Sequence, residues 1–146
     1  LYTGDKKTGE IWGENLFTRE DIEHILSMNF QDVRLKHYLE IRYADSMPIN
    51  CVLGYAALLK GVFYQKDFLE ELAKKLDADE AAIRKAQKNL MQYGFDGEVY
   101  GYPADKLLKY VIEGAKNQLC ESEQLLLMPL EKLTEQKKTL AREYYE

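Results

Sequence analysis

Arg34, Lys36, Tyr38, Glu40 and Arg42 occupy every second position of the stretch VRLKHYLEIRYAD, residues 33–45. The positions between them, Val33, Leu35, His37, Leu39, Ile41 and Tyr43, form a mostly apolar row. A period of two belongs to a strand, whose successive side chains point to opposite faces; a helix scatters both rows around its circumference. The spacing therefore predicts a strand over 33–45 with its apolar row on a core. Neighbours on one face stand roughly 6.5–7 Å apart, so the three cations span about 25 Å with one carboxylate among them. Such a row can bind an anionic substrate and a metal ion together. It is equally the pattern of a solvated sheet face, where alternating charges discourage edge-to-edge pairing.

The elements around the stretch must hold it in place. Ahead of it, 1–17 is glycine-rich and weakly periodic, which predicts an extended entry segment with a short hairpin around Asp5 to Gly9. Trp12 reads as a packing residue. Thr18 and Asp21 form a capping-box pattern that predicts a helix from there to about Met28, carrying His24. Behind the strand, Pro48 suits the first turn of a helix because it has no N–H to leave unpaired. Residues 49–64 read as that helix, apolar nearly all round, a sign of burial. Gly54, Ala56, Ala57 and Gly61 allow another element to approach closely, and tight packing offsets the roughly 1 kcal/mol each glycine costs in helix propensity. Cys51 reads as a buried small hydrophobe.

From Lys66 onward the chain is charged and helical. Amphipathic helices are predicted over 66–76 and 79–93, then a loop from Gly94 to Tyr102. A long helix follows over 103–120, then another from Pro129 that restarts near Thr139. Leu125–Leu127 reads as core.

Composition narrows the function classes. The 146 residues, 46% hydrophobic and 31% charged, suit one domain with a real core. A net charge of −5 argues against nucleic acid as the main partner, since phosphate contacts need a basic surface. No apolar run approaches the roughly 20 residues of a membrane span. Cys51 and Cys120 make no metal-spaced pair and read as reduced thiols of a cytoplasmic protein. The first residue is Leu1 rather than Met, which suggests a processed or excised chain.

The run Asp32-Val33-Arg34-Leu35-Lys36-His37-Tyr38-Leu39-Glu40-Ile41-Arg42-Tyr43-Ala44-Asp45, then Pro48-Ile49-Asn50 and a helix through Gly54-Tyr55-Ala56-Ala57-Leu58-Leu59-Lys60-Gly61, resembles a segment of a known family. It is similar to the C-terminal part of the glutamate–cysteine ligases of the glutamine synthetase superfamily, over about residues 30–65. The chain departs from the family at His37, where arginine is common. The resemblance implies an α+β, mainly α, C-terminal part of a glutamine synthetase-like catalytic fold, with one active-site strand and a helical subdomain. In that arrangement 1–17 is the entry segment, 18–65 a helix–strand–helix active-site unit and 66–146 the helical subdomain.

It also implies ATP-dependent amide-bond formation between the γ-carboxylate of glutamate and the amino group of cysteine, with ATP and Mg2+ as cofactors. Glu40 matches the metal-binding glutamate and Arg42 the arginine that recognises substrate. Tyr38 joins Arg42 as a substrate-binding candidate, with packing as its other reading. Arg34 and Lys36 are the catalytic candidates, placed to neutralise the nucleotide or acyl phosphate. The ligases of this family are several-fold longer, so the missing N-terminal part of the same enzyme is the implied partner. Two other readings stay open: another carboxylate–amine ligase of the superfamily, and a non-catalytic helical interaction module.

Overall fold

A computed structural model of the chain describes residues 6–7, 10, 13, 17–28, 32–35 and 37–145. The protein is mainly helical with two small antiparallel sheets, the α+β class expected from the sequence. It divides into two units, Leu1–Ser46 and Met47–Glu146. The helix after the charged stretch thus belongs with the later helices.

In the first unit, α1 runs from Arg19 to Met28. Its start is fixed as the sequence predicts: the Thr18 N–H and hydroxyl both donate to the Asp21 carboxylate, at 3.0 and 2.7 Å, and the Asp21 N–H donates back to the Thr18 hydroxyl at 3.1 Å. That network holds the Asp21 carboxyl below its usual range. The stretch after α1 is not the single strand expected over 33–45. It folds back on itself as β1 (Val33–Leu35) and β2 (Leu39–Ile41), paired antiparallel with Val33 opposite Ile41, Arg34 opposite Glu40 and Leu35 opposite Leu39. The Arg42 N–H donates to the Asp32 carbonyl at 2.8 Å and extends the ladder by one step.

Periodicity could not reveal the turn. Every pair in this register joins two odd or two even positions, so the paired strand residues of each row stay on one face although the chain turns back between them. From Arg42 to Pro48 the chain has no regular structure, and Asp45 accepts from the Ser46 N–H at 2.7 Å, as a turn residue does. Val33, Leu39 and Tyr43 are half exposed or more, so these three members of the apolar row do not lie in a core as expected. Trp12 and most of the early hairpin fall on residues outside those described.

In the second unit Pro48 stands just ahead of α2 (Ile49–Phe63), and its carbonyl accepts from the N–H groups of Cys51 and Val52. Then come α3 (Lys66–Lys75) and α4 (Glu80–Tyr93), the latter capped by the Asp79 carboxylate accepting from the Ala82 N–H at 2.8 Å. A 3-10 turn at Gly94–Asp96 leads to the ribbon β3 (Glu98–Val99) and β4 (Tyr102–Pro103). The chain continues through α5 (Ala104–Lys116), the short α6 (Glu121–Gln124), a 3-10 turn at Leu125–Leu127, α7 (Met128–Glu135) and α8 (Leu140–Tyr145).

The core forms where α2 crosses α5. Ala57, Ile112, Leu119 and Leu127 make one buried cluster; Val62, Phe68, Leu72 and Ala115 make another. The α2 glycines permit this approach: a Cβ on Gly61 would lie 2.5 Å from the Ala115 carbonyl oxygen, and one on Gly54 would lie 2.8 Å from that of Leu126. Cys51 is buried, as read from the sequence. Two expectations are corrected. α2 is not buried all round, since Ile49, Val52, Leu53 and Phe63 are exposed along one side. Of Leu125–Leu127, only Leu127 is fully buried, and Leu125 faces solvent.

Two outcomes follow from this packing. Gly61→Ala inserts a methyl against backbone atoms that no rotamer change can clear. It lowers stability by at least about 1 kcal/mol in urea unfolding, despite the better helix propensity of alanine; an unchanged midpoint contradicts the crossing. Lys60 on α2 donates to Glu123 on α6 and, with lesser help from Cys120, holds the Glu123 carboxyl below its ordinary value. A depressed acid stabilises the fold above its unfolded pKa and loses that contribution as pH falls through the folded one. The gap in urea midpoint between wild type and Glu123→Gln is thus widest above pH 4.5 and closes below it. A pH-independent gap contradicts the contact.

Candidate functional site

Antiparallel pairing places Arg34 and Glu40 directly opposite each other, and strand alternation puts Arg42 on the same face. The two guanidinium groups converge on one carboxylate. Arg34 Nη1 lies 3.8 Å from Glu40 Oε2, and Arg42 Nε lies 3.6 Å from Glu40 Oε1, so each cation faces its own oxygen. These separations are those of ion pairs, longer than a close N–H···O bond. The Arg34 side chain is 17% exposed, Arg42 29% and Glu40 32%. The cluster is therefore only partly screened by water.

Arg34 makes a further contact that fixes its direction. Its Nη2 donates to the Ser27 carbonyl at 3.4 Å, in the last turn of α1. A helix C-terminus carries partial negative charge and unsatisfied carbonyls, so a guanidinium is well placed there. Its Nε is buried and hydrogen-bonds to no acceptor among the described residues. Two guanidinium groups thus stand against one carboxylate on a half-buried face. A planar guanidinium meets a carboxylate or phosphate with two parallel bonds, so the cluster is chemically suited to an acidic ligand.

Of the residues singled out from sequence, Arg34, Glu40 and Arg42 are brought together. Tyr38 is not in their row: it lies in the connection between the strands, half exposed, with its ring edge-on to His37 at 4.7 Å between centroids. Lys36 lies outside the described residues. The Ser27 carbonyl was not foreseen, because a backbone acceptor leaves no mark in residue type.

Magnesium takes oxygen ligands and usually draws only one or two carboxylates from protein, the rest being water and substrate phosphates. Glu40 is about a third exposed, but both its oxygens face guanidinium groups and neither is turned to a cation. No three His, Cys, Asp or Glu side chains gather to hold a metal among the described residues, so the chain offers no closed cage of its own.

Larger depressions lie in the second unit. One of about 600 Å³ is lined by Asn50, Cys51, Met128, Glu131, Lys132 and Glu135; another, of about 380 Å³, is walled by Leu90, Phe95, Val99, Leu107 and Val111. The first is an open surface groove in which Glu131 is already paired with Lys116 at 2.6 Å, and the second is almost wholly apolar. No charged side chain lines the second. No family model, no curated protein and no solved structure matches the chain.

Proposed function

We propose that the chain is the C-terminal part of a glutamate–cysteine ligase, joining the γ-carboxylate of glutamate to the amino group of cysteine at the expense of ATP. The observation that carries the reading is the convergence of Arg34 and Arg42 on Glu40, in the run of residues that resembles the ligase strand. Glutamate and ATP are both anionic, and the reaction develops negative charge on a transferred phosphoryl group. Fixed cations on a partly desolvated face are what that chemistry requires.

In this reading the γ-carboxylate oxygen of glutamate attacks the terminal phosphorus of ATP, and the bond to the ADP oxygen breaks. The cysteine nitrogen then bonds to the acyl carbon, phosphate leaves with the C–O electron pair, and the nitrogen gives up a proton. Arg42 takes the substrate carboxylate through its planar fork and holds it in line. Arg34, tied to the end of α1, offsets charge on the acyl phosphate, with Lys36 beside it in sequence. Mg2+, when bound, would shield the nucleotide phosphates, and Glu40 would serve as its ligand only once turned away from the two arginines.

A two-stranded ribbon is marginal by itself, and its exposed apolar residues Val33 and Leu39 suit packing against another layer. This favours an active site completed by the N-terminal part of the enzyme. No helix among the described residues is long and apolar enough to cross a membrane, and the reading places the enzyme in the cytoplasm. A second reading, a helical docking module without catalysis, draws on the exposed Ile49, Val52 and Leu53 of α2.

Steady-state kinetics of the complete natural protein separates the two. Glu40→Gln lowers magnesium-dependent turnover on the order of 100-fold. Arg42→Ala chiefly raises the KM for glutamate, by about tenfold to a hundredfold, as expected for the loss of a charged hydrogen-bonded contact. Wild-type kinetics in both variants contradicts the assignment.

A further inference from the structure

α2 is apolar on both of its sides, and only one of them is used. The inner side packs on α5 and the 3-10 turn at Leu125–Leu127. The outer side carries Ile49, Val52, Leu53, Ala56, Leu59, Lys60 and Phe63, which recur at intervals of three and four along the helix. Ile49, Val52, Leu53 and Phe63 keep 72, 41, 46 and 45% of their surface in water, and Ala56 is exposed between them. The solvent face of a helix ordinarily carries charge, and one that is apolar all round belongs in an interior. The one charged residue of this stripe, Lys60, donates to Glu123 on α6, which neutralises the ammonium and leaves its aliphatic stem to cover the face.

The stripe is laid out symmetrically about its smallest member. Ile49 and Phe63 stand seven residues to either side of Ala56, Val52 and Lys60 four, and Leu53 and Leu59 three. A two-fold contact needs a surface that matches itself when reversed, because each patch meets its own copy. We propose that the outer face of α2 is a dimerisation surface, pairing antiparallel with α2 of a second copy about a two-fold axis at Ala56. Ile49 then meets Phe63 of the second copy. Val52 meets Leu59 along one flank, and Leu53 meets the stem of Lys60 along the other. Two alanines at the axis let the helices approach to about 8 Å, the short end of the usual range. The stripe exposes on the order of 600 Å² per copy, so two copies reach the roughly 1,200 Å² at which specific interfaces begin. The pairing concerns α2 alone and stands apart from the ligase reading.

Sedimentation velocity of the complete natural protein tests it. A dimer forms with a dissociation constant on the order of micromolar, as suits an interface of the smallest specific size. Ala56→Asp sets two carboxylates against each other at the axis and weakens the dimer at least about 100-fold, with the far-ultraviolet circular dichroism unchanged. Ala56→Cys reports the geometry directly. With helix axes 8–10 Å apart and each Cα about 2.3 Å from its axis, the two Cα atoms lie roughly 3.5–5.5 Å from each other, which overlaps the span of a disulfide. Under mild oxidation this variant yields a dimer linked through the introduced thiols, identified by mass spectrometry of the joined peptides. Gln65→Cys is exposed but nine residues from the axis, about 27 Å from its counterpart, and yields no such link.

A protein that stays monomeric up to about 100 μM, far above a micromolar dissociation constant, overturns the proposal; the stripe is then covered within one chain or by a different protein. A dimer that Ala56→Asp leaves intact overturns it too, as does a dimer in which the thiols introduced at position 56 fail to link, since either is held by another surface. If Ala56→Asp does not fold, a link at position 56 with none at position 65 upholds the pairing, and any other pattern of links refutes it.

Discussion

Arg34 and Glu40 face each other across a three-residue connection, and the antiparallel ladder between β1 and β2 sets their separation before any side chain moves. Without that register the two guanidinium groups would be strung along an extended ribbon, as the sequence spacing first suggests. With it, they meet at one carboxylate, and a row of charges becomes a cluster. Its electrostatic character follows from a further fact: the face is only partly open to water. The Ser27 carbonyl adds a backbone anchor from the preceding helix. Each member of the cluster therefore depends on main-chain geometry as much as on its own chemistry.

The helical unit obeys a different constraint, the distance at which two backbones can pass. Gly54 and Gly61 let α2 approach the 3-10 turn at Leu125–Leu127 and α5 until a single methyl would collide with a carbonyl oxygen. Gly114 plays the same part on α5, where an added Cβ would lie 2.0 Å from the Phe68 ring. Small residues at the crossing make room for Phe68, Leu72, Ile112 and Leu127 in two adjoining clusters. Lys75 lies over the rings of Tyr102 and Tyr110, at 4.9 and 4.7 Å from their centroids, which ties the end of α3 to the β4 ribbon and α5.

Much of this was legible in the residues. The Thr18–Asp21 cap, the start of α2 after Pro48 and the burial of Cys51 are local or periodic signals, and each was read correctly. So was the close approach made possible by the α2 glycines. The turn within 33–45 was not legible, because a fold-back that pairs odd with odd and even with even leaves the two-residue period intact. No glycine or Asn-Gly pair marks the connection through His37 and Tyr38, so turn chemistry gave no warning. The exposed side of α2 was also hidden. Ile49, Val52 and Leu53 are as apolar as the residues beneath them, and sequence alone does not say which face finds a partner. For the site, the membership of Arg34, Glu40 and Arg42 came from alternation and from resemblance, whereas their convergence came from register.

The account turns on whether this cluster serves a phosphorylated amino acid. The most direct measurement is ATP consumption by the complete natural protein, supplied with glutamate, Mg2+ and a panel of amino-acid acceptors. The account predicts ADP release that requires glutamate and rises with cysteine, together with formation of a γ-glutamyl amide. ATP left intact with glutamate and every acceptor would contradict it.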